Sequence, residues 1–291
     1  MCCDSRVTDD QTRSLRDVAE RVATEAAYFV RNRRAELFGD DAAGPREEGS
    51  AVRVKSGPTD PVTIVDTETE QLVRRRLAEL RPGEPILGEE EGGAEAAAGA
   101  VRWVVDPIDG TVNFVYGIPA YAVSIAAQID GVSVAGAVAD VCSGEVYSAA
   151  AGGGAHVLAR GERRPLRCSA ASDLSMTLLG TGFGYDPHRR AIQAELAAGM
   201  LPLVRDIRRI GSAALDLCLV ASGRLDAHYE HGLNAWDWAA GALIAAEAGA
   251  LVVLPQPDAG GPAPLLVAAA PGVSAQLLAA LDRLSGLGPL P

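Results

Sequence analysis

The sequence predicts an α/β fold of the α+β layered-sandwich kind, with alternating helix and sheet layers, and three observations predict it. A long helical period opens the chain, a run of alternating strands with tight turns fills the first half, and strand and helix patterns alternate after residue 170.

Taken in order, Leu15, Val18, Val22, Ala26, Phe29 and Val30 recur at helical spacing with Arg and Glu between them, so 12–38 reads as one amphipathic helix covering a sheet. Residues 39–61 are rich in Gly, Pro, Asp and Glu and read as a loop. A helical pattern resumes over 62–80 and stops at Arg81-Pro82-Gly83. Two helices are therefore expected before the first strand. Short strands are expected at 86–88 and 101–106, a hairpin at 121–129 and 132–141 turned by Asp130-Gly131, and further strands at 145–149 and 155–158, making a largely antiparallel sheet. The second half reads as strand 176–181, helix 188–200, strand 206–209, helix 213–222, strand 225–230, helix 236–248 and strand 251–254. A surface loop over 255–264 then precedes a last strand and helix. No period of 20 to 50 residues repeats. The expected organisation is a single unit, 1–291, with an antiparallel-sheet half carrying the N-terminal helices at 12–168 and an alternating α/β half at 169–291.

Composition narrows the classes. Of the 291 residues 48% are hydrophobic and 22% charged, enough for a large core. The balance of 26 basic against 38 acidic residues, net −12, argues against a nucleic-acid or anionic-membrane surface and suits a cation site. Cys2, Cys3, Cys142, Cys168 and Cys218 form no C-x-x-C pair and read as reduced thiols, with neither disulfide nor zinc expected. The first 15 residues carry Asp4, Asp9 and Asp10 and no apolar leader, and the apolar stretch 239–254 is 16 residues long and interrupted by Glu247. A cytoplasmic protein with no membrane partner is expected.

The sharpest segment is Trp103-Val-Val-Asp106-Pro107-Ile108-Asp109-Gly110-Thr111, an apolar strand running into paired acids at a turn. Asp106 and Asp109 can both reach one cation cluster, and the N–H groups of Gly110 and Thr111 open a short helix suited to phosphate. Alone, such a turn is equally an ordinary capped one. Gly88-Glu89-Glu90-Glu91-Gly92, Asp60 with Asp66, and Ala235-Trp236-Asp237 add further acids, each also readable as a solvated run or a helix cap. Together they offer many oxygen ligands and almost no imidazole or thiolate, which favours Mg²⁺, Mn²⁺ or Ca²⁺. Two such cations ~4 Å apart clamp the entering and leaving oxygens of a phosphoryl group.

These stretches, together with Trp236-Asp237-Trp238-Ala-Ala-Gly241, Glu247-Ala-Gly249, Lys55 to Asp66, Gly88-Glu89-Glu90 and Arg209 to Cys218, resemble the inositol monophosphatase family over roughly 12–285, in its bacterial SuhB-like branch. The resemblance implies that fold and Mg²⁺-dependent hydrolysis of a small polyol phosphate. It implies Glu89, Asp106 and the Ile108 carbonyl as ligands of a first Mg²⁺, and Asp106, Asp109 and Asp237 as ligands of a second. A third, weaker ion would lean on Glu89. Thr111, hydrogen-bonded to Asp66, would orient and help deprotonate the attacking water. Substrate contacts are implied at Asp109, Gly110, Thr111, Gly211, Ser212, Ala213, Glu230 and Asp237. A homodimer, sensitivity to Li⁺ and an influence of Lys55 on the third ion are implied as well. Val112, Glu91 and Asn234 depart from the residues common in the family.

The alternatives are a fructose-1,6-bisphosphatase, histidinol-phosphatase or 3′-phosphoadenosine nucleotide phosphatase of the same fold, or a regulatory binding protein. A bisphosphate would need a second basic pocket, for which Arg205, Arg208 and Arg209 are the nearest cluster. A nucleotide would need stacking partners, and Phe, Trp and Tyr make up only 4%. His156, His188, His228 and His231 have no metal spacing, Gly152-Gly153-Gly154 lacks a P-loop lysine, and Gly211-Ser212-Ala213 is not a nucleophile elbow, so all are read as structural.

Overall fold

The computed structural model describes residues 8–39, 52–54, 61–255 and 263–291; Lys55, Asp60, Cys2 and Cys3 lie outside them. Helix α1 (Asp9–Phe38) starts where the Thr8 hydroxyl accepts from Gln11 N, with Asp9 and Asp10 in the first turn facing the positive end of the helix dipole. Leu15, Ala19, Val22, Ala26 and Val30 form its buried stripe. Strands β1 (Val52–Val54) and β2 (Pro61–Thr63) pair antiparallel before helix α2 (Ile64–Leu80), so one helix, not two, precedes the first strand. The helical pattern from 62 overran its start because Thr63 is the cap. Its hydroxyl accepts from Val65 N and Asp66 N, while Asp66 accepts from Thr63 N, and this capping box sets the first turn at Ile64.

Next come β3 (Ile86–Gly88), β4 (Val101–Asp109), α3 (Thr111–Tyr116), β5 (Ala122–Ile129), β6 (Val132–Asp140), β7 (Val146–Ala150), β8 (Ala155–Ala159) and β9 (Glu162–Pro165). Strands β3 to β9 lie in chain order in one seven-stranded sheet, antiparallel throughout except for the parallel β3/β4 pair. The β5/β6 hairpin turns on Asp130 (φ 50°) and Gly131 (φ 78°), the two positive-φ positions that a tight hairpin of this hand requires. The short charged β9 carries no apolar alternation and was not expected from the sequence. Strand β4 runs to Asp109, past the expected end at Asp106. Asp106 stands opposite Ser124 and Asp109 opposite Ala122, so a bulge absorbs Pro107, and Ile108 N donates to Asp106 Oδ1 (3.0 Å) rather than to the neighbouring strand.

The second sheet holds β10 (Leu178–Thr181), β11 (Asp206–Arg208), β12 (Ala227–His231), β13 (Leu251–Val253) and β14 (Leu265–Ala269) in the order β11-β10-β12-β14-β13. Helices α4 (Pro187–Met200), α5 (Ala213–Ala221), α6 (Ala235–Glu247) and α7 (Pro271–Arg283) alternate with its strands. The layers stack as α1/α2, the seven-stranded sheet, α5/α6, the five-stranded sheet, then α4/α7. Small residues permit the central contact: a Cβ on Gly136 of β6 would sit 3.0 Å from Ala240 Cα of α6. Strand β4 is a wall shared by two cores. Val101, Trp103, Val105 and Ile108 join the core under α1/α2, while Val104 joins the one under α5/α6. No helix among the described residues is long and apolar enough to cross a membrane.

Candidate active site

The end of β4, its bulge and the starts of α3, α5 and α6 open on one pocket of about 590 Å³. Glu89, Asp106, Ile108, Asp109, Gly110, Thr111, Gly211, Ser212, Ala213, Glu230 and Asp237, spread over some 150 positions of sequence, all line it. Asp66 does not; it lies fully buried behind Thr111. These eleven residues are thus at the pocket wall and Asp66 one side chain behind it, while Lys55 and Asp60 lie outside the described residues.

Two of the acids serve as helix caps and face the site at the same time. Asp66 Oδ2 accepts from Thr63 N (2.8 Å) and Thr63 Oγ1 (2.5 Å), and its Oδ1 accepts from Thr111 Oγ1 at 3.2 Å. Asp237 is the third residue of α6, its Oδ2 accepting from Asn234 N at 2.6 Å. In both, the cap fixes the carboxyl plane and leaves the second oxygen toward the site. The Thr111 hydroxyl has a single hydrogen and also lies 3.0 Å from the Ile108 carbonyl, so it is shared between that carbonyl and Asp66. Asp109 is held from α5, its Oδ2 accepting from Ser212 Oγ (2.6 Å) and Ala214 N (2.7 Å). Gly110 (φ 98°) has no room for a side chain: a Cβ would lie 2.9 Å from Ala120 O and 3.1 Å from Gly211 O.

The acids raise one another's proton affinity. Burial first, then Glu89, Asp109 and Asp237, hold Asp106 well above the usual carboxylate range. Burial pushes Asp109 up to about 7 against the bonds from Ser212 and Ala214, and it pushes Asp66 up to about 7 against those from Thr63. Asp237 is raised by burial, Asp109 and Glu89. Among the described residues no basic side chain is paired with Asp106, Asp109 or Asp237. Among the described residues the acids face the same pocket without being drawn into a finished cage of three or more ligands. Like charges gathered in a poorly solvated pocket call for a cation, and an all-oxygen donor set suits a hard divalent one. The residues therefore fit a hard divalent cation such as Mg²⁺, Mn²⁺ or Ca²⁺, with Glu89, Asp106, Asp109, Asp237 and the Ile108 carbonyl as the available donors.

Sequence reasoning missed three residues. Glu70 is fully buried on α2; it accepts from Glu90 N (2.8 Å) and Glu91 N (3.1 Å) and pairs with Arg74 at 2.8 Å. It thereby holds the turn that carries Glu89, and Gly88 is glycine because a Cβ would fall 2.2 Å from the Glu70 carboxylate. An acid four residues after Asp66, on the apolar face of α2, was the available signal. Asp216 lines the pocket while almost fully buried, and His228 lies buried behind it, having been read as structural. Of the arginine cluster, Arg209 lines the pocket and Arg205 and Arg208 do not.

The profile of the inositol monophosphatase family matches residues 11–284. The chain is 64% identical over 287 residues to the inositol-1-monophosphatase SuhB of Mycobacterium tuberculosis, covering 97% of this chain and 98% of that protein. It is 65% identical over 291 residues to the inositol-1-monophosphatase of Mycobacterium leprae, covering 98% and 99%. Among solved structures, Mycobacterium tuberculosis SuhB superposes with a TM-score of 0.81 at 59% identity, over 96% of this chain and 100% of that one.

Proposed function

The chain belongs to the inositol monophosphatase family and is a phosphatase of that fold, and on that premise we propose that it hydrolyses inositol 1-phosphate, and related small polyol phosphates, to the alcohol and phosphate with Mg²⁺. The observation that carries the reading is the Thr111 to Asp66 hydrogen bond set beside the acids Glu89, Asp106, Asp109 and Asp237 in one pocket. A bound divalent cation supplies Lewis-acid stabilisation of phosphoryl charge and lowers the pKa of a coordinated water.

The protein's own residues do the rest. Thr111 Oγ1 orients the attacking water, and Asp66 behind it, with a proton affinity near neutrality, takes up the proton passed through that hydroxyl. Gly110 and Thr111 border the phosphoryl group. Gly211, Ser212, Ala213 and Glu230 receive the alcohol, and Asp109, pinned by Ser212 and Ala214, presents its remaining oxygen between the two ends of the substrate. Because the pocket draws Glu89 to Thr111 from one half and Ser212 to Asp237 from the other, 1–291 acts as a single catalytic unit. A cytoplasmic homodimer completes the proposal.

The test is phosphate release with Mg²⁺ from inositol 1-phosphate, fructose 1,6-bisphosphate, histidinol phosphate and adenosine 3′,5′-bisphosphate, with and without Li⁺. Preferential, Li⁺-inhibited turnover of inositol 1-phosphate is expected. Preference for another ester would replace the substrate, and no turnover of any would favour a regulatory binding protein. Glu70→Ala is expected to raise the Mg²⁺ concentration for half-maximal activity about 10- to 100-fold, the usual cost of losing a residue that orients a ligand. A Mg²⁺ titration of activity measures it, and a curve superimposable on wild type would remove Glu70 from the account.

A further inference from the structure

On the alcohol side of the pocket a row of three side chains, two at its wall and one buried between them, joins α5 to β12. His228 is fully buried, with Nδ1 3.9 Å from Asp216 Oδ2 and Nε2 3.5 Å from Glu230 Oε2. Residues two apart on a strand share a face, so His228 and Glu230 stand side by side. Asp216 follows Ser212 by four residues on α5, so the first turn of that helix holds Asp109 through Ser212 and reaches His228 through Asp216. Among the described residues neither imidazole nitrogen has a hydrogen-bond partner, so these two carboxylates are the only acids set against it, and Asp216 Oδ1 has no partner either.

The neighbouring strand is cut away to seat the row. Gly180 stands opposite His228, and a Cβ there would lie 3.0 Å from Nδ1 and 3.1 Å from Asp216 Oδ1. A Cβ on Gly182 would fall 2.1 Å from the Glu230 carboxylate. On the other side Ala268 and Leu266, opposite His228 and Glu230, offer no polar group. A buried imidazole without a partner is costly, so the two carboxylates hold it in place and it holds them. Burial lowers the proton affinity of His228, but Asp216, Glu230 and Asp109 more than offset this and leave it raised, while burial pushes Asp216 up to about 7.

We propose that His228, seated between Asp216 and Glu230, is a positioning residue that fixes the Glu230 carboxylate and so sets the preference for a hydroxyl-rich alcohol over a plain phosphate ester. This rests on the assignment of Glu230 to the alcohol. With Oε2 turned to the imidazole, Glu230 has Oε1 left for a substrate hydroxyl. Without that anchor the carboxylate swings and the hydroxyl contact weakens, while the machinery at Asp106, Thr111 and Asp66 does not touch His228.

The experiment compares kcat and KM for inositol 1-phosphate and 4-nitrophenyl phosphate in wild type, His228→Phe, His228→Gln and Glu230→Gln. In His228→Phe the ratio of the two kcat/KM values is expected to fall about 10-fold, the worth of one well-placed hydrogen bond, and to fall through KM for inositol 1-phosphate. His228→Gln, which keeps an N–H donor, recovers part of it. An equal loss on both esters, with the ratio unmoved, would show a merely structural role and overturn the proposal, as would no change. If Glu230→Gln itself leaves the ratio unmoved, the assignment of Glu230 fails and the proposal with it. If Glu230→Gln lowers the ratio and His228→Phe does not, only the proposal fails. Should His228→Phe not fold, Asp216→Asn, which keeps the shape of the pair and removes its charge, is expected to lower the ratio in the same direction, and an unmoved ratio there overturns the proposal equally.

Discussion

Asp106→Asn is expected to lower turnover by about 10³-fold or more while raising the melting temperature of the metal-free protein at pH 8. The two effects share a cause. Asp106 is only 1% exposed and its proton affinity is raised by burial and then by Glu89, Asp109 and Asp237. A carboxyl whose folded pKa exceeds its unfolded value binds more protons when folded. Its favourable contribution is therefore complete below the unfolded value of 3.8 and is lost as pH rises through the folded one, about 7 for Asp109 and well above 3.8 for Asp106 and Asp237. At pH 8 the cluster opposes folding, and Asn removes one of the carboxyls whose ionisation is disfavoured there while keeping the oxygen that accepts from Ile108 N. Relief of 1 kcal/mol corresponds to roughly 2–4 °C for a chain of this size. Thermal melts at pH 6 and pH 8, with and without Mg²⁺, measure it. The gain should be larger at pH 8, and Mg²⁺ should raise wild type more than the variant. A variant that melts below wild type at pH 8 without metal would sink the electrostatic account.

The second large effect is at Thr111. Valine has the same shape without the hydroxyl, so Thr111→Val removes the hydrogen shared between Asp66 and the Ile108 carbonyl and leaves Asp66 Oδ1 buried with no donor. A fall in kcat of about 10²- to 10⁴-fold is expected from loss of a positioned proton-transfer group. The Mg²⁺ dependence should stay close to wild type. Thr111→Ser, which restores the hydroxyl, should recover most of the rate. Single-turnover assays on the two variants separate these outcomes, and equal loss in both would mean that the methyl, not the hydroxyl, matters.

Legibility in the sequence followed the range of the signal. Short-range chemistry read through well. Asp130-Gly131 named its hairpin, and the alternation of strand and helix after 170 named the second sheet and its covering helices. Asp66 and Asp237, readable either as caps or as site acids, are both at once, because the third residue of a helix can spend one oxygen on the cap and point the other outward. What did not read through depends on what lies opposite. The β1/β2 pair is three residues long on each side, and the bulge that carries β4 on to Asp109 exists only against β5. Glu70 is an acid on the apolar face of α2 whose role depends on the Glu89–Glu91 turn that rests on it, and His228, read as structural, depends on Asp216 from 12 positions earlier on another element.

Strand β4 is pressed from both sides, with Trp103 and Val105 facing one core and Val104 the other, and the acid at 106 sits on the face of Val104. Neither core can therefore drift in volume by itself. A larger or smaller side chain under α1 tilts the strand against α6 and moves Asp106 relative to Asp237, so a mutation with no polar atom and no contact with substrate registers as a change in chemistry. Tolerance for neutral substitution runs outward from β4, narrow at the shared wall and widest in the layer of α4 and α7. A lineage changing its substrate has the pocket walls to work with at residues 182, 209 and 230, while the strand that carries the acids is held still by the packing of both neighbours.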